Sequence, residues 1–206
     1  MPIYTPPDPI VVRPQTANQK LRMKKRNTAF AKLPREKQRV QIAKDVLVSL
    51  KLGEFVAGSK YLTFGNIYKN RSSDKVTAAP TTDLSHVLEK ATCTVCGIGS
   101  LFCSAVKRAD NLPFSGVSDF RGAVSMDRMR VIGYLAPYFT SEELGEIEFY
   151  FECSNTGHAE AMYNLAISKE WDDKTPRARM SAIMRNIIKN KGAFVPDPMW
   201  LTKGCR

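Results

Sequence analysis

The sequence predicts a mostly α-helical fold: a compact helical domain over residues 34–206, preceded by an extended, Pro-rich basic arm over residues 1–33. Three observations predict it. Pro2, Pro6, Pro7, Pro9 and Pro14 crowd the N-terminus, where each fixes φ and removes an amide donor. Apolar residues then recur at helical spacing in one segment after another, punctuated by Pro, Gly and capping residues. Only residues 55–68 carry an aromatic and β-branched pattern, which allows one short strand or hairpin.

Taken in order, residues 1–19 are read as extended chain, with Ile10, Val11 and Val12 able to add as an edge strand. A helix is predicted from Pro34 to Leu52. Pro34 suits the first helical position, Gly53 suits the stop, and Val40, Ile42, Ala43, Val46, Leu47 and Leu50 give a broad apolar stripe. Residues 69–82 are read as a polar loop. One long helix is predicted from Asp83 to about Ala109, and residues 110–123 are read as loop. A helix near Met126–Leu135 ends before Pro137. Thr140 opens the next with Glu143 completing a capping box, and its first turns carry the acidic residues that a helix N-terminus favours. Another helix is predicted from Gly157 to about Ile167. The last has Thr175 as cap, Pro176 as start, Gly192 as stop, and Met180, Ile183, Met184, Ile187 and Ile188 as its apolar stripe.

The composition suits a folded chain. Of 206 residues, 43% are hydrophobic and 25% charged, enough apolar material for a sizeable core and too much for disorder throughout. No apolar run approaches the roughly 20 residues of a membrane span. The N-terminus lacks the basic-then-apolar pattern of a secretory leader, so a cytoplasmic location without membrane insertion is expected.

The charge is unevenly placed. The net charge is +11, and residues 1–75 hold all of it, with 16 basic and 5 acidic residues. The density peaks between Arg13 and Arg39, where ten basic residues stand against Glu36 alone. They are Arg13, Lys20, Arg22, Lys24, Lys25, Arg26, Lys32, Arg35, Lys37 and Arg39. Such an array releases counterions when it meets a phosphate backbone, which makes these ten residues the candidate nucleic-acid or partner-binding set. Phe30 is the only aromatic among them, so base stacking is not a strong part of the picture. The competing explanations are a solvated, self-repelling arm and an arm docked on acidic residues of its own fold. Glu142, Glu143, Glu146, Glu148 and Glu152 form the natural internal dock.

Five cysteines, an odd number, argue against a disulfide framework. On a continuous helix over 83–109, His86, Glu89, Cys93, Cys96, Ser100 and Cys103 fall opposite the apolar face. The plain reading is a central helix buried on both sides, its small residues admitting close neighbours. The sharper alternative is a zinc site of Cys93, Cys96, Cys153 and His158, for which a lone C-x2-C is a weak signal. No G-x-G-x-x-G, Walker A or G-x-S-x-G segment is present, and residues 97–100 (GIGS) lie within the helix pattern. No catalytic residue, metal or other cofactor is assigned, and a non-enzymatic protein is expected. Trp171 and Trp200 are read as core or edge packing.

Three segments together carry a resemblance: TCTVCGIGSLFCSAV (92–106), FTSEELGEIEFYFE (139–152) and RARMSAIMRNIIKNKGAFVP (177–196). They resemble a loosely defined set of small bacterial and bacteriophage proteins without an established activity. The resemblance covers roughly residues 34–196 and implies a phage or bacterial origin and a compact helical body. It transfers no catalytic residue, and it leaves out the basic arm. The resulting expectation is a helical scaffold carrying a cationic tether, residues 13–39, for nucleic acid or another acidic surface. The partners left open are nucleic acid, an acidic host-protein surface, a virion component and a second copy of the chain.

Overall fold

A computed structural model describes residues 10–12, 16–59, 61–64, 76–78, 83–109, 112, 128–152 and 166–202. The fold is mostly helical, as expected. Its first helix, α1 (Ala17–Ala31), lies where the extended arm was predicted. Thr16 accepts the Gln19 amide while the Gln19 side chain reaches back to the Thr16 amide, so a capping box opens the helix. Met23 and Phe30, seven residues apart, share one face and are buried. The last of the N-terminal prolines is Pro14. Beyond it, capping and a buried stripe make a packed helix. The boundary after residue 33 therefore cuts through the core rather than beside it. The strand expected at Ile10–Val12 is present (β1), and it pairs parallel with Val76–Ala78 of the same chain (β4), inside the predicted loop 69–82. Two short β-branched segments can pair across a long separation, which local polarity does not reveal.

A tight turn at Leu33 and Pro34 leads into α2 (Arg35–Leu52). Gly53 ends it in the left-handed conformation (φ 75°), the role glycine performs at that position. The next strands, β2 (Phe55–Ala57) and β3 (Thr63–Phe64), do not pair with each other as a hairpin. Each flanks β5 (Cys93–Val95), β2 in parallel and β3 antiparallel.

That strand overturns the long helix 83–109. The segment divides into α3 (Leu84–Leu88), β5 and α4 (Gly97–Ala109). Thr92, Thr94 and Val95 are β-branched and favour extended backbone, and the Cys93 amide finds the Glu54 carbonyl at 2.8 Å. Helical periodicity continues across the break only by coincidence, so Cys93 does not share a helix face with Ser100 and Cys103. The other part of that expectation holds for α4: every residue from Gly97 to Val106 is buried.

Helix α4 is the centre of the molecule, touched by α1, α2, α3, α5 (Arg128–Leu135) and α6 (Ser141–Glu152). The Ser104 hydroxyl donates to the Ile42 carbonyl at 3.0 Å and ties it to α2. The predicted capping box of Thr140 and Glu143 opens α6. Ala166–Ile167 form strand β6, paired antiparallel with β7 (Leu201–Thr202), rather than a helix end; the rest of the helix predicted at 157–167 lies outside the described residues. A short helix, α7 (Lys169–Asp172), precedes α8 (Pro176–Lys189), which starts on Thr175 and Pro176 as predicted and packs on α2 and α6. Trp171 and Trp200 stack at 4.1 Å between ring centres, and the Trp171 indole donates to the Tyr150 carbonyl, so both belong to the packing as expected. Among the described residues no helix is long and apolar enough to cross a membrane.

Candidate polyanion-binding face of helix α1

Helix α1 has the sequence ANQKLRMKKRNTAFA, with five basic residues and no acidic one. Its inward face is fixed by Met23 and by Phe30, whose ring lies 5.9 Å from that of Tyr138. At its C-terminus the Gln38 amide donates to the Phe30 carbonyl at 3.1 Å, so α2 caps α1. The helix is thus held as a rigid body, and the remaining side chains have a defined direction.

The structure sorts the ten candidate cations into groups. Arg13 lies outside the described residues. Arg26 turns inward, donating to Glu89 at 3.2 Å and to the Lys107 carbonyl at 2.6 Å, next to α4. Arg39 pairs with Glu143 and its guanidinium lies 4.6 Å from the centre of the Phe139 ring. Arg35 donates from Nε to the Tyr138 carbonyl at 2.8 Å. Internal docking therefore accounts for Arg26 and Arg39, and Glu143 is a dock that the sequence singled out. Glu89 is a second, brought close by the α1–α4 packing.

Lys20, Arg22, Lys24, Lys25 and Lys32 are exposed, and Lys37 is exposed on α2. Among the described residues no ion pair engages any of them. Leu21, which composition and charge did not single out, is 53% exposed in their midst. With Lys24, Lys25, Thr28, Ala29 and Lys32 it lines a shallow, open depression. The signal that could have found this arrangement is the Met23–Phe30 spacing, which marks 17–31 as a helix and puts Leu21 and Thr28 opposite its buried face. Lys20 and Lys24, like Arg22 and Arg26, stand four residues apart, where like charges repel by a few tenths of a kcal/mol. A docked helix that retains such repulsion has a surface suited to an anion.

The other ion pairs stitch the body together. Arg108 donates twice to Asp45, at 2.5 and 2.7 Å, and Lys107 reaches Glu54 at 2.8 Å. Burial pushes the Glu143 carboxyl up, but the Thr140 amide and Arg39 outweigh it and hold it below its ordinary 4.5. Glu54 is lowered in the same way, its burial outweighed by hydrogen bonds from Lys107 and Ser49. A carboxyl depressed in the folded state stabilises the fold above its unfolded pKa and loses that contribution as pH falls through the folded value. Glu143→Gln keeps the capping box and removes the charge. The stability gap between parent and E143Q is therefore expected to be constant above about pH 6 and to close as pH drops below 4.5, measured by urea unfolding at each pH. A gap that stays constant down to about pH 2 would show that the charge on Glu143 contributes nothing.

Three of the five cysteines lie among the described residues. Cys93 and Cys103 are fully buried, and Cys96 stands just before α4 with its sulfur accepting the Gly99 amide at 3.4 Å. Burial pushes the Cys93 and Cys96 thiols up to about 12 and raises Cys103 well above its usual value. All three are protonated at neutral pH, and a thiol in that state is a poor nucleophile. Among the described residues no group of three His, Cys, Asp or Glu side chains is placed to hold a metal. Cys153 and His158, the other half of the zinc alternative, lie outside the described residues. In α8, Arg177 and Arg179 donate to the Leu50 and Phe151 carbonyls, at 3.0 and 2.8 Å, and so serve packing rather than extend the basic face.

No family model, no curated protein and no solved structure matches this chain.

Proposed function

We propose that this chain is a non-enzymatic binding protein that engages polyanions, nucleic acid foremost, through the outward face of α1. The observation that carries the reading is the set of five exposed cations, Lys20, Arg22, Lys24, Lys25 and Lys32, on a docked helix and its C-terminal turn that contain no carboxylate. Contacts to phosphates supply affinity with little sequence preference. The resemblance of three body segments to small bacterial and bacteriophage proteins suits a phage- or bacterium-encoded protein working in the host cytoplasm.

The salt dependence follows from the count. Each phosphate neutralised on a duplex contributes about −0.9 to the slope of log K against log salt. Five cations give a slope no steeper than about −4.5, whereas the full tract of ten would give about −9. The test uses the full chain against labelled DNA and RNA at several salt concentrations. A variant with Lys24→Glu, Lys25→Glu and Lys32→Glu is expected to bind at least about a hundredfold more weakly at 0.15 M salt, with an unchanged circular dichroism spectrum. Arg26 is left intact in it because of its contacts to Glu89 and Lys107. If the variant binds like the parent, the α1 face is not the site.

A second reading is favoured by Leu21, whose exposure amid lysines suits an acidic protein surface with an apolar contact. Salt-resistant binding to a protein partner, with no affinity for nucleic acid, would select it.

A further inference from the structure

Resting on the polyanion reading of α1, we infer that its partner is double-stranded DNA, and that the helix lies lengthwise in the major groove. The argument begins with the distribution of the exposed residues. At about 100° per residue, Leu21, Lys25, Thr28 and Lys32 run down the middle of the arc opposite Met23. Lys20 and Lys24 fall on one side of that line and Arg22 on the other. Cations on both flanks of a slim centre can reach both phosphate strands at once. A cluster on one flank would track a single strand.

The shape agrees with the charge. A helix with side chains is about 10–12 Å across, and the major groove of B-form DNA is about 12 Å wide. A helix of 15 residues is about 22 Å long, well under one turn of the duplex. The centre line carries no bulky ring. Leu21 and Thr28 are the centre-line groups that meet base edges, where an apolar carbon contacts the thymine methyl. The absence of an exposed aromatic on α1 is the other half of the argument. Single-strand binding rests on stacking platforms, and Phe30, the one ring of α1, is buried against Tyr138. A-form RNA has a major groove too deep and narrow for a helix.

The experiment titrates the full chain against a 20-base-pair DNA duplex, the single strand of the same sequence and the RNA duplex, at equal phosphate concentration and one salt concentration. The duplex DNA is expected to bind at least about tenfold more tightly than either of the others. A second variant, Ala29→Trp, adds bulk beside the centre line without altering charge. It is expected to weaken duplex DNA binding at least about tenfold while leaving single-strand binding unchanged or stronger. Equal affinity for all three probes, or A29W binding duplex as well as the parent does, overturns the groove geometry and leaves α1 as a surface that touches phosphates from outside. Loss of all binding in the Lys24, Lys25 and Lys32 variant alongside equal affinity for the three probes separates that failure from failure of the polyanion reading. Failure of the parent chain to bind any of the three overturns both.

Discussion

Phe30→Ala is expected to destabilise the protein by about 3–5 kcal/mol, the usual cost of emptying a large aromatic site in a core. Phe30 is 3% exposed and lies against Tyr138 on the segment that joins α5 to α6. It is also the C-terminal anchor of α1, seven residues beyond Met23, so its removal leaves the helix with one buried side chain instead of two. For a domain of this size the change corresponds to a fall of about 10 °C in Tm. Thermal and urea unfolding of the two proteins measure it. A loss under about 1 kcal/mol would show that α1 is not packed, and the segment would then be the free arm that its prolines and charge suggest. Phe30→Leu, which keeps most of the volume, is expected to recover more than half of the loss. The same contacts make a deletion of residues 1–33 a poor probe of binding, because it removes Met23 and Phe30 from the core along with the cations.

Gly99→Ala is expected to be the most damaging single methyl among the described glycines. A Cβ at this position would stand 1.8 Å from the Tyr61 carbonyl oxygen and 2.6 Å from its carbon. These are backbone atoms, so no side-chain rotation relieves the overlap. Either α4 shifts bodily or the chain around Tyr61 and Leu62 withdraws, and both movements disturb buried elements: Leu62 is 1% exposed and β3 begins at Thr63. Overpacking in a well-filled core costs about 1–3 kcal/mol, and a collision with fixed backbone belongs at or beyond the top of that range. Poor soluble expression, or a drop in the urea midpoint larger than that of F30A, is the expected result. Gly145→Ala is the control, since a Cβ there meets nothing within 4 Å and alanine is the better helix former. If G99A unfolds with the parent, the close approach of α4 to Tyr61 does not exist as described.

Where local chemistry dictated local structure, the sequence was legible. Gly53, Thr140 with Glu143, and Thr175 with Pro176 mark helix ends, and each end is where those residues put it. The start of α1 was equally legible, in the Thr16–Gln19 capping box and the Met23–Phe30 spacing, but its charge and the prolines upstream pointed to an arm. A high density of lysine does not prevent a helix when one face finds a core.

The sequence by itself determined the helical class, the placement of the charge excess, the stop of α2 at Gly53 and the starts of α6 and α8, because caps and periodicity act within a few residues. Only the tertiary structure decided that 83–109 is broken by β5, since that strand exists through Phe55–Ala57 on one side and Thr63–Phe64 on the other. Only the tertiary structure divided the cations as well. Arg26 and Arg39 are held by Glu89 and Glu143, 63 and 104 residues away, while Lys20, Arg22, Lys24, Lys25 and Lys32 face outward. The reason is common to both cases. Strand pairing and ion pairing are contacts between distant segments, and their partners are chosen by how the core packs rather than by the residues next in line.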